Sequence, residues 1–219
     1  MITLKSLTIV SGIIGFSVAG AAIAQNEAEP NQATNPGGVS IPTPTDLWGQ
    51  IETLRKTDSV MAQTHPFHMN QSHSFQLGSR TVDWYTTDYA NTPVNDEINK
   101  VGAIPKVTKY PPNSLMVKVN YTKDRKLTGI TAMLKVTGYD PADRDWVMAA
   151  YSPSGKNISY GKVAACIGCH NFVRSADFNF APPPDQLLPV SIWKAFFPKD
   201  TMSSAYLELL KEHPDAIVK

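Results

Sequence analysis

Between residues 114 and 151 apolar and polar positions alternate in three successive windows, the period of strands with one buried face. In Ser114 to Thr122, Leu115, Val117, Val119 and Tyr121 fall on one side, Met116, Lys118 and Asn120 on the other. Ile130, Ala132, Leu134 and Val136 alternate with Thr131, Met133, Lys135 and Thr137 in the second window. The polar turn Lys123-Asp124-Arg125-Lys126 joins these two windows as a hairpin. Asp145 to Tyr151 makes a third strand, entered through Gly138-Tyr139-Asp140-Pro141 and left through Ser152-Pro153-Ser154-Gly155. Arg80 to Thr86 is a weaker fourth. Helical spacing covers Asp46 to Met61, where Leu47, Ile51, Leu54 and Met61 share a stripe behind the capping signal Pro44-Thr45-Asp46. It recurs at Pro93 to Val101, Gly161 to Val173 and Ser203 to Glu212. These elements predict an α+β fold, a mostly antiparallel β-sheet meander flanked by helices.

The chain ends follow a different pattern. Lys5 precedes an apolar run from Leu7 to Ala24 that closes on Ala22-Ile23-Ala24, so residues 1–24 read as a cleaved secretory signal. Gly12, Gly15, Gly20, Ser11 and Ser17 weaken the same run as a membrane anchor. Residues 25–44 are rich in Asn, Gln, Pro, Gly and Thr and predict a flexible linker. The folded domain is expected over residues 45–180, with 181–219 an extension that packs on it through Trp193, Phe196 and Phe197. The expected location is the periplasm.

Composition excludes one partner class. Twenty Lys and Arg against nineteen Asp and Glu leave a net charge of +1 on 219 residues, too little to draw nucleic acid. The chemistry concentrates in the two cysteines. An exported protein enters an oxidising compartment, where thiols are at risk unless bonded to each other or to a cofactor. Here they form Cys166-Ile167-Gly168-Cys169-His170, the C-x-x-C-H arrangement of c-type haem attachment. Two thiols one helical turn apart can add to the two vinyl groups of the macrocycle, and the adjacent imidazole becomes the axial ligand of its iron. The motif therefore predicts a single covalently attached haem c on one face of the domain. A thioredoxin-like pair leaves His170 unexplained. A structural zinc site needs four ligands, and the other histidines are remote in sequence.

Around that motif the sequence resembles cytochrome P-460 and its relative cytochrome c′-beta. The resemblance is carried by Pro112 to Lys118, Met133 to Pro141, Asp145-Trp146, Tyr151 with Gly155, Gly161-Lys162-Val163 leading into Cys166 to His170, and Asp177-Phe178. It covers roughly residues 45 to 180 and implies an open iron site that oxidises hydroxylamine or binds nitric oxide. It also implies a lysine bonded to the porphyrin, which would be Lys118, and a periplasmic cytochrome c as electron acceptor. A homodimer is consistent with it, and no membrane span remains once the signal is removed. Family members that oxidise hydroxylamine carry a distal carboxylate to accept protons; the ungapped alignment puts Met133 there. An apolar pocket of that kind implies instead a non-enzymatic protein that captures a neutral gas, or a plain electron carrier. Asp140, Asp143 and Asp145 lie near in sequence but read as turn caps. His65, His68 and His73 read as a polar loop rather than a copper or zinc site, and Met61, Met69, Met116 and Met148 as core filler.

Overall fold

The structure, a computed structural model, describes residues 38–64, 73–77, 80–122, 124–182, 184–196, 202 and 204–219; for 73–77, 80–84, 196 and 205 it describes the backbone alone. The expected signal and most of the expected linker lie outside the described residues, as do His65, His68, Met69 and Phe197.

Six antiparallel strands form one sheet in chain order: β1 (His73–Leu77), β2 (Arg80–Ala90), β3 (Leu115–Tyr121), β4 (Leu127–Lys135), β5 (Trp146–Tyr151) and β6 (Asn157–Gly161). The expected α+β meander is therefore the observed architecture. β2 runs past the Thr86 end expected from sequence to Ala90, because both faces of the strand are buried there, Tyr89 in one core cluster and Ala90 in the other. β1 and β6 were not expected. In β6 Ile158 and Tyr160 do alternate with Asn157, Ser159 and Gly161, but the run is only five residues with two apolar positions, one of them Ile158 left 66% exposed, so the period-2 signal is weak. β1 includes His73, placing that residue in a strand rather than in the expected loop.

The two faces of the sheet bury different things. Leu115, Val117 and Val119 of β3, Ile130, Ala132 and Leu134 of β4, and Val147 and Ala149 of β5 meet Leu47 and Ile51 of α1 (Pro44–Lys56). α1 starts on a capping box: Asp46 N–H donates to Thr43 Oγ1 at 3.1 Å and the Thr43 hydroxyl donates to Asp46 Oδ2 at 2.7 Å. Residues 38–44, the end of the expected linker, run along this layer. The Tyr151 hydroxyl donates to Pro44 O at 2.8 Å, the Tyr160 hydroxyl to Pro42 O, and Ile41 packs on the core. α1 stops short of Met61, because Met61 N–H donates to Asp88 O at 2.8 Å and its side chain enters the other layer.

That second layer packs Val94 and Ile98 of α2 (Thr92–Val101), with Tyr110, Trp146 and Phe178, beside Met116, Met133 and Met148. The single helix expected over Gly161 to Val173 is two pieces: α3 (Ala164–His170), then a 3-10 turn over Asn171–Ala176 kinked at Val173. A third cluster belongs to the C-terminal extension. Trp193 of α4 (Val190–Phe196) and Tyr206 of α5 (Ser204–Glu212) bury against Leu187 and Leu188, which a two-residue bridge ties to Ile217. Among the described residues no helix is long and apolar enough to cross a membrane.

Candidate functional site

Gly161 closes β6 with φ +90°, a value side chains resist, and turns the chain into α3. On this seven-residue helix Cys166 and Cys169 fall three apart and so share a face. Cys166 packs on the methionine layer and Cys169 on the C-terminal cluster, so the motif sits at the seam between them. The two thiols are not bonded to each other. Burial pushes both up from the ordinary thiol value, Cys169 to about 11 despite the opposing charge of Lys118. Protonated, half-buried thiols do not suit disulfide exchange, which depends on a depressed thiol pKa.

His170 is fixed by its next neighbours. Its Nδ1 lies 2.6 Å from Phe178 O, and because a carbonyl can only accept, the proton is on Nδ1. The lone pair of Nε2 is thereby left for a metal, the arrangement in which an outer partner sets the tautomer of a ligating histidine. Burial drives the imidazole down to about 4, the Phe178 bond opposes this and the Lys118 charge adds to it, so the ring is neutral at physiological pH. Phe180 packs edge-on against it at 5.4 Å.

Both cysteines and His170 line one cavity of about 440 Å³, within the size range of cofactor sites. The sheet supplies a second wall in two cross-strand rows. Met116, Met133 and Met148 are register partners across β3, β4 and β5, and all three are buried. One step along, Asp88, Lys118 and Thr131 are partners across β2, β3 and β4. The mixed face read from the alternation of β3 is thus the cavity face, and the structure brings Lys118 and Met133 together with Cys166, Cys169 and His170. Met116, Met133 and Met148 are core residues and cavity lining at once. Leu188, Trp193 and Tyr206 add a further wall, which gives the C-terminal extension a part in the site as well as its own packing.

Asp88 is the one carboxylate among the described residues of the lining. The sequence reading missed it because the fourth strand was ended at Thr86; continuing the Tyr85, Thr87, Tyr89 alternation would have put Asp88 on the same face as Thr86. The three acids considered from sequence do not reach the cavity. Asp140 and Asp143 pair with Lys162 at 2.7 and 3.0 Å, and Asp145 Oδ1 accepts from Asp140 N–H at 3.1 Å. They fasten the turn between β4 and β5.

The donor set fits a covalently held haem: an imidazole in the right tautomer, two thiols one turn apart beside it, and a partly open, largely apolar space. Among the described residues no three His, Cys, Asp or Glu cluster as a metal site of their own. The chain matches no protein-family model and no curated protein.

Proposed function

We propose that this chain is an exported mono-haem c-type cytochrome of the cytochrome P-460 kind, which oxidises hydroxylamine and passes the electrons to a periplasmic cytochrome. Cys166 and Cys169 are the thioether anchors and His170 the axial ligand. The observation that carries the reading is the 2.6 Å bond from His170 Nδ1–H to Phe178 O in a cavity that both thiols also line. When bound, haem supplies a redox-active iron able to take a small ligand and its electrons. The chain supplies the rest. Trp193, Tyr206 and Leu188 keep solvent from the Cys169 side. Asp88 accepts the protons that the oxidation releases, which the ungapped alignment with Met133 had left without a recipient. Lys118, which lines the cavity in register with Asp88, is the lysine that the resemblance implies would bond the porphyrin.

The row Met116, Met133 and Met148 favours a second reading, capture of nitric oxide or another neutral gas without chemistry. Absorption spectra of the secreted protein, oxidised and reduced, separate the two. A strongly red-shifted ferrous band that reverts to an ordinary c-type band in Lys118→Leu supports the first. A normal band unchanged by that substitution, with five-coordinate iron, supports the second. A colourless product ends both.

A further inference from the structure

Asp177 takes no part in lining the cavity, yet it is fully buried and ionically paired next to the residue that fixes His170. Asp177 and Phe178 are consecutive non-glycine residues in the left-handed region, with φ 51° and 71°. That backbone is unfavourable for any side chain and most for a bulky one, and such strain persists only where surrounding contacts over-determine it. The contacts come from three separate segments. Lys135 Nζ, at the end of β4, donates to Asp177 Oδ2 at 2.6 Å and Oδ1 at 2.8 Å. Tyr110 N–H donates to Oδ2 at 2.6 Å, and the Trp146 indole N–H of β5 donates to the Asp177 carbonyl at 2.9 Å. Lys135 also sits 4.6 Å above the Trp146 ring, so the three groups hold one another. Phe178 itself is buried, with Arg174 over its ring at 5.4 Å.

Phe178 O points at His170 as a consequence of this turn. Released, Asp177 and Phe178 would relax toward ordinary dihedrals and carry the carbonyl away from Nδ1. We infer that Asp177, clamped by Lys135, Tyr110 and Trp146, is a positioning residue that sets the strength of the His170 ligand through the Phe178 carbonyl. The inference rests on His170 being the axial ligand as proposed above. A strong hydrogen bond from Nδ1–H makes an imidazole more basic and a better donor to iron, and this outer contact tunes the metal. Losing it weakens the iron–imidazole bond and favours the ferrous state.

The test uses the secreted wild-type protein with Asp177→Asn, Trp146→Phe and, as a control destabilised far from the turn, Gly155→Ala. Resonance Raman of the ferrous form gives the iron–imidazole stretch, and a spectroelectrochemical titration gives the midpoint potential. Asp177→Asn is expected to lower the stretch and raise the potential. Trp146→Phe, which keeps an aromatic ring in the core, shifts both the same way by less and covers the case in which Asp177→Asn does not fold. Gly155→Ala leaves both at wild-type values. Haem-loaded Asp177→Asn or Trp146→Phe with unshifted stretch and potential overturns the inference, as does an equal shift in Gly155→Ala, which would make the effect one of general stability. A wild-type protein lacking covalent haem sinks the parent reading, and this one with it.

Discussion

Replacing both anchors, Cys166→Ala with Cys169→Ala, tests whether the cavity is built around a bound group. The side chains removed are small and half-buried, so their own packing is worth about 1 kcal/mol each. The space they serve is much larger. At about 24 cal/mol per Å³, a closed, dry cavity of about 440 Å³ would cost roughly 10 kcal/mol, an upper bound here because this one is partly open to solvent. Water can satisfy the row of Asp88, Lys118 and Thr131 but not the methionine row, which lowers the cost without removing it. We expect the double variant to lose about 5–10 kcal/mol, against a total of about 5–15 kcal/mol for an ordinary domain. It should emerge unfolded or as a compact state without fixed side-chain packing, recognised by retained far-ultraviolet and lost near-ultraviolet circular dichroism. The wild-type chain produced where no haem is attached serves as the control without substitution and should behave alike. A double variant that melts with the wild-type midpoint and enthalpy refutes the reasoning, because the cavity would then be self-supporting.

Three further predictions use other parts of the molecule. Asp88→Asn should keep full haem content and gas binding while hydroxylamine oxidation falls by about 10²–10⁴, the usual worth of a positioned base; an undiminished rate removes Asp88 from the mechanism. Gly155 and Gly102 have nearly equal φ, +86° and +85°, but a Cβ at Gly155 would lie 2.6 Å from Trp48 Cε2 and one at Gly102 would meet nothing. Gly102→Ala should therefore cost about 1–2 kcal/mol from backbone strain and Gly155→Ala about 1–3 kcal/mol more, read by urea unfolding, with equal losses contradicting the steric account. Burial pushes Tyr110 and Tyr151 each up to about 12 from 10.0, so the folded state disfavours their ionised forms. Above pH 10 the unfolded chain then holds fewer protons than the folded one, and stability falls as pH rises from 10 to 12, by about 2–3 kcal/mol per tyrosine. Lys135, whose ammonium burial pushes down from 10.5, works in the opposite sense below that pH. Unfolding free energies measured from pH 9 to 12 should decline over the upper half of that range, and a flat profile contradicts the burial argument.

How far the site could be read before folding depends on the distance over which its parts act. Cys166, Cys169 and His170 are neighbours on one short helix, so their grouping is legible from spacing alone. Lys118 and Met133 were legible as members of one face, because alternation along a strand decides sides without knowing what lies opposite. Asp88 was missed for want of two more residues of strand, and β6 because five residues with only two apolar positions give too short an alternation. Nothing local marks Leu188, Trp193 or Tyr206 as cavity lining, nor Phe178 O as the partner of His170.

The amino-acid order by itself determined the meander through β3, β4 and β5 and a helix near Asp46, since each follows from periods within a few residues, although the cap falls on Thr43, one residue before the expected Pro44-Thr45-Asp46 signal. Tertiary structure decided which carboxylate faces the cavity, the wall that the C-terminal extension adds to it, and the tautomer of His170. These depend on the register of β2 with β3, on the cluster of Leu187, Leu188, Trp193 and Tyr206, and on Phe178 O meeting His170, contacts that form only when several elements bury their faces together.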